Sequence, residues 1–132
     1  MHSAQLKSIG NRRCLAFEIA ESIDGELLEV NIWACDEHLT YFDNQVHIPS
    51  FVYSMQREYS FLRTATTQQD HPFFVHGPTT DDVSGKISID DGTAKISFTL
   101  RNGNQCSFTI EVQELTQIYE RVLNQIDFIK NA

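Results

Sequence analysis

Residues 87–112 read ISIDDGTAKISFTLRNGNQCSFTIEV. Three alternating runs are separated by two pairs of turn residues. Ile87 and Ile89 lead into Asp90-Asp91-Gly92. Ile96, Phe98 and Leu100 lead into Asn102-Gly103, and Cys106, Phe108, Ile110 and Val112 follow. Alternation with a period of two buries one face of each strand. Asp-Gly and Asn-Gly accept the positive φ angles that tight hairpins demand. The stretch therefore predicts a three-stranded antiparallel meander whose apolar side must be covered.

Working outward, the cover is helical. Leu115, Ile118, Tyr119, Val122, Ile126 and Ile129 recur every three or four residues, which predicts a helix from about Glu114. Glu114 near its start and Lys130 near its end suit the helix dipole. Ile48, Phe51, Val52, Met55, Tyr59 and Leu62 form a second stripe over residues 48–62. Pro49 fits the first turn there, where a missing N–H costs nothing.

Earlier still, residues 14–23 alternate, with Leu15, Phe17 and Ile19 on one face and Ala16, Glu18 and Ala20 on the other. Asp24-Gly25 marks a hairpin. The next run sets Leu28, Val30, Ile32 and Ala34 against Glu29, Asn31, Trp33 and Cys35. After the polar turn Asp36-Glu37-His38, Leu39–Phe42 reads as a short strand. Thr64–Asp70 reads as a loop, His71–His76 as a short strand, and Gly77-Pro78 with Asp81-Asp82 as a further loop. The expected architecture is α+β: one domain, 1–132, a two-layer sandwich with an antiparallel sheet of five to six strands covered on one face by two helices. Helices do not alternate with strands, which argues against parallel winding.

Composition bounds the function. The chain has 132 residues, 18 acidic against 10 basic, and a net charge of −8. Its few Lys and Arg are scattered, so neither nucleic acid nor an anionic membrane is expected as a direct ligand. Cys14, Cys35 and Cys106 are odd in number and widely spaced, unlike a disulfide scaffold. They read as reduced thiols in a cytosolic protein, with a Cys14–Cys35 bridge left open because their strands can be neighbours. The polar start, MHSAQLKSIGNRR, lacks the apolar run of a signal peptide. No apolar stretch approaches the ~20 residues of a membrane span.

No residue set points to catalysis. His71 and His76 are five apart and face opposite sides of a strand, and His2, His38 and His47 follow no metal-ligand spacing. His38 and His47 can meet only across a loop. Cys14 follows Arg12-Arg13, Cys35 precedes Asp36-Glu37, and Cys106 falls in core parity; none has the setting of an activated nucleophile. No serine sits in G-x-S-x-G, and no glycine belongs to a phosphate-binding loop. Asp90-Asp91-Gly92 lacks the remaining ligands of a calcium loop. No cofactor and no metal is expected.

The acidic residues remain. Their simplest role is solubility. Their functional reading is an electrostatic docking face that speeds encounter and fixes orientation, with an exposed aromatic at its centre. Trp33 is the candidate, on the face of Glu29. Glu29, Trp33, Asp36, Glu37 and Asp43 form one candidate partner-binding face, and Asp90 with Asp91 a second. Two other readings stand beside it. One is a small-ligand protein or enzyme with a pocket lined by Tyr41, Tyr53, Tyr59 and His47. The other is an oligomeric adaptor that uses a sheet edge.

The segment Leu39-Thr40-Tyr41-Phe42-Asp43-Asn44-Gln45-Val46-His47-Ile48-Pro49-Ser50-Phe51 resembles a recurrent helix start in small bacterial proteins. With the acidic α+β body, the chain resembles the immunity proteins of bacterial toxin systems, including contact-dependent growth inhibition. The likeness is one of size, charge and element order. It implies a cytosolic protein that binds a cognate basic toxin domain, often a nuclease, and blocks its active site or substrate groove.

Overall fold

The computed structural model of the chain describes residues 6–40, 43–74 and 83–131. The meander forms as its periodicity requires. Strands β7 (Ser84–Asp90), β8 (Thr93–Thr99) and β9 (Gln105–Glu111) pair antiparallel. Ile87 lies opposite Ile96, Ile96 opposite Phe108, and Ala94 opposite Ile110, which gathers the apolar residues on one face. Asp91 and Gly92 both take positive φ, 50° and 78°, and close a two-residue hairpin.

Ahead of the meander the chain builds a second sheet. Strands β1 (Leu6–Gly10), β2 (Leu15–Ala20), β3 (Leu27–Ala34) and β4 (Glu37–His38) follow in order, and β5 (Gln45–His47) also pairs with β3. Helix α1 (Ile48–Thr64) then leads to β6 (Gln68–Pro72), which joins β7, and α2 (Val112–Lys130) ends the fold. The α+β class and antiparallel pairing hold. The strands divide into sheets of five and four, however, where turn spacing suggested one sheet of five to six. The reason is α1: its 17 residues span about 25 Å and carry the chain from one sheet to the other.

Three strands escape the sequence pattern, one of them the three-residue β5. β1 falls in the polar N-terminal run, and β6 starts in the stretch read as a loop and ends at Pro72, inside the strand expected at His71–His76. Both are edge strands with mostly exposed side chains, so no alternation marks them. They still cap the backbone groups of β2 and β7. The short strand expected at Leu39–Phe42 is also displaced. Cys35 and Asp36 both adopt left-handed φ, so the hairpin closes early and pairs Ala34 with Glu37. Leu39 and Thr40 are buried turn residues. Tyr41 and Phe42, like Val75, His76, Asp81, Asp82 and His2, lie outside the described residues.

One hydrophobic cluster draws on both sheets and both helices. Phe17 from β2 meets Tyr119 from α2 edge-on at 6.0 Å and Phe74 at 6.2 Å, and Phe74 meets Phe98 of β8 at 5.5 Å. Tyr119 is fully buried and donates its hydroxyl proton to Glu58 Oε1 at 2.7 Å. The other Glu58 oxygen accepts the Phe74 N–H at 2.6 Å. Burial, then the adjacent carboxylate, push the Tyr119 phenol well above its ordinary pKa, so it stays a donor.

Gly85 shows how tightly the segment after β6 is held. A Cβ there would stand 2.5 Å from the Phe73 carbonyl oxygen and 3.0 Å from the Phe98 ring. Phe73 is fixed by its N–H bond to the Gly85 carbonyl. Gly85→Ala is expected to lower stability by about 1–3 kcal/mol through overpacking, read as a lower urea midpoint at unchanged m-value.

Candidate partner-binding face

β2 is buried along its whole length, so a carboxylate in the middle of Leu-Ala-Phe-Glu-Ile-Ala must find partners. Glu18, only 8% exposed, has three. Arg12 clamps it through Nε to Oε2 at 2.8 Å and Nη2 to Oε1 at 2.9 Å. The Trp33 indole N–H donates to Oε1 at 3.1 Å. The β1–β2 turn brings Arg12 back toward the strand, and the β2–β3 register sets Trp33 opposite Ala16, two residues from Glu18.

The indole is held on its ring surfaces as well. The Arg12 guanidinium carbon lies 3.9 Å from the ring centroid, and the His38 imidazole stacks on the indole at 4.6 Å with a 9° tilt. Trp33 is thus half-buried and covered by its own neighbours, neither sunk in the core nor free.

His38 is itself fixed. Thr40 accepts the Ile32 N–H at 3.0 Å and donates to the Val30 carbonyl at 3.2 Å. Its oxygen can therefore only accept from His38 Nε2, at 3.3 Å. Asn31 Oδ1 accepts from Asn44 Nδ2 at 3.0 Å and from the same His38 nitrogen at 3.1 Å. The proton sits on Nε2. Burial lowers the His38 pKa, with Glu18 opposing the shift and Arg12 and Arg101 adding to it.

Around this plate stand four of the acidic residues singled out from the sequence. Glu29 shares the β3 face with Asn31 and Trp33. Asp36 and Glu37 occupy the β3–β4 hairpin at the Trp33 end. Asp43 precedes β5, where Gln45 lies opposite Glu29, and it caps the Gln45 N–H at 3.2 Å. Asp36, Glu37 and Asp43 are exposed and Glu29 half-buried. Among the described residues the ion pairs are Arg12–Glu18 and His47–Glu26, so none of the four carboxylates is neutralised in a direct pair. Arg101 shares a narrow cleft with Glu37 and His38 and brings a positive charge to that end.

The second candidate pair lies elsewhere. Asp90 and Asp91 sit in the β7–β8 hairpin, where Asp90 lies opposite Thr93 and Thr93 opposite Glu111. The hairpin is at the far end of β8 from Arg101, a strand of seven residues or about 23 Å. The pocket proposed around Tyr53, Tyr59 and His47 is not assembled. Tyr53 is 63% exposed, Tyr59 bonds Glu120 at the surface, and His47 bonds Glu26 and Ser50. Tyr41 lies outside the described residues. His38 and His47 have separate partners and do not act as a pair.

Arg12, Glu18, Asn31, His38 and Thr40 carry the site's order and were not singled out from the sequence. The legible signal was Glu18: a lone charge in an apolar hexapeptide, six residues after Arg12. Among the described residues no helix is long and apolar enough to cross a membrane. No protein-family model, curated protein or solved structure matches the chain.

Two outcomes are expected from this geometry. Glu18→Ala strands the indole N–H and loosens Arg12, lowering stability by about 1–3 kcal/mol in denaturant titration. His38 has a folded pKa below its ordinary 6.5, so its contribution is fully present above that value and is lost as pH falls below it. Melting temperature should therefore fall more steeply from pH 7.5 to 5.5 in the wild type than in His38→Gln. Equal slopes would contradict a desolvated, neutral His38.

Proposed function

We propose that the protein binds a basic protein partner in the cytosol through the outer face of β3 and β4, as an immunity protein blocks a nuclease-type toxin domain. The observation that carries this reading is an immobilised indole bordered by Glu29, Asp36, Glu37 and Asp43. Arg12 is matched by Glu18, and a lowered pKa keeps His38 neutral near pH 7. With Arg101 at one end, the four carboxylates still leave the face negative on balance.

Such a face suits a surface that normally receives phosphates. Carboxylates occupy the positions of the anions, and opposite potential accelerates encounter. A fixed Trp adds contact area with little ordering cost on binding. No bond-making step is required of the inhibitor.

The test begins with capture of the partner from the native host, followed by association kinetics across salt concentrations. The partner is expected to be basic. Joint reversal of Asp36, Glu37 and Asp43 to lysine should slow association at least about tenfold at low salt and flatten its salt dependence. Reversal of Asp90 and Asp91 should change little. An acidic partner, or unchanged kinetics after the triple reversal, would remove this face from the mechanism.

A small-ligand reading rests on a cleft bordered by Arg57, Glu58, Phe61 and His71, one of several of similar size. It predicts a ligand-induced rise in melting temperature that Arg57→Ala abolishes.

A further inference from the structure

The last strand of a sheet carries a row of backbone N–H and C=O groups with no ladder partner, and proteins usually blunt such edges. Most edges of this fold are blunted. β4 and β5 have only two and three residues. β1 carries Lys7, ends on Gly10 at a left-handed φ of 96° and packs beside α2. β6 is irregular between Gln68 and His71, holds Asp70 at a left-handed φ and ends on Pro72. β9 has none of these devices. Its seven residues, QCSFTIE, run in unbroken register along β8, and their single charge, Glu111, stands at the last position.

The bonds that bracket β9 fix which of its groups face outward. At one end the Leu100 N–H donates to the Asn104 carbonyl, and at the other the Val112 N–H donates to the Gly92 carbonyl. Inward pairing alternates along an antiparallel ladder. Cys106, Phe108 and Ile110 therefore bond β8, whereas Gln105, Ser107, Thr109 and Glu111 turn their N–H and C=O groups away from it. Among the described residues none of these outward groups has a hydrogen-bond partner. The side chains of the same four residues are exposed, and Phe108, at the middle of the strand, is only half-buried on the apolar side.

We infer that two copies of this chain associate through β9, antiparallel, across a two-fold axis at Phe108. In that register Gln105 lies opposite Glu111 of the second copy and Ser107 opposite Thr109 of the second copy. Every outward N–H and C=O of the strand is then paired. A two-fold at Ser107 would strand Glu111, and one at Thr109 would strand Gln105. The charge pattern selects the same occupant. The one carboxylate meets an amide, hydroxyl meets hydroxyl, and no like charges face each other. A strongly charged peptide would find no counter-charge along the middle of this edge, whereas a second copy matches it residue for residue. The two Phe108 rings meet on the apolar side, in the closer, non-hydrogen-bonded type of pair.

β9 belongs to the other sheet from Trp33, so this contact needs no basic partner. Each copy carries a net charge of −8, and their long-range repulsion opposes association. Salt screens that repulsion and should tighten the dimer, the reverse of its effect on a complex with a basic protein.

Sedimentation equilibrium of the full chain, across protein and salt concentrations, reads the mass against 15.1 kDa for one copy. A concentration-dependent dimer is expected, tighter as salt is raised. Thr109→Pro removes one outward N–H and leaves the β8 ladder intact, so the dimer should weaken at least about tenfold. Ser107→Lys combined with Thr109→Lys sets lysines opposite each other and should weaken it as well. Ser107→Lys combined with Thr109→Glu sets lysine against glutamate and should restore it. These are exposed positions, and circular dichroism with a melting curve checks that each variant is folded. A single-copy mass at every concentration, a dimer indifferent to Thr109→Pro, or a lysine–glutamate variant no tighter than the double-lysine one would each overturn the assignment.

Discussion

Glu18 is a carboxylate that the fold has taken almost wholly out of water, in a strand buried on both faces. An unpaired charge there would be strongly destabilising. The requirement to match it dictates much of the first sheet. The β1–β2 turn must return Arg12 to within a bidentate reach of β2. Trp33 must present its N–H inward, which leaves its ring to be faced by Arg12 and His38. His38 must then satisfy Asn31 and Thr40. A chain of hydrogen bonds rooted in one buried charge thus converts a flexible aromatic on a sheet surface into a fixed plate.

Glu58 plays the corresponding part at the junction of helices and sheets. Its two oxygens take one proton donor from α2 and one from the segment after β6. Aromatic contacts run from Phe17 of the first sheet through Phe74 to Phe98 of the second, and Tyr119 of α2 packs edge-on against Phe17. The two sheets therefore share one core although they share no strand.

What was legible in the sequence was periodic. The meander and both helices were readable because their buried faces repeat, and the α2 stripe is buried at every position named for it. β1 and most of β6 were not readable, because an edge strand contributes backbone pairing with hardly any apolar face. The face of Glu29 and Trp33 followed from parity, but Cys35 did not, because a left-handed residue leaves the alternation. The surroundings of Trp33 were invisible for another reason. They depend on the register between β2 and β3 and on how the Arg12 turn folds back, and both are tertiary facts.

The account of function depends on negative potential at an ordered indole. Trp33 is the single tryptophan of the chain, so its fluorescence reports that spot alone. Collisional quenching by caesium and by iodide, each at constant ionic strength, measures the sign of the local potential. Compared with free indole, the account predicts quenching weighted toward caesium, with the difference fading as inert salt is added. Quenching weighted toward iodide, or equal for the two ions at low salt, would contradict it.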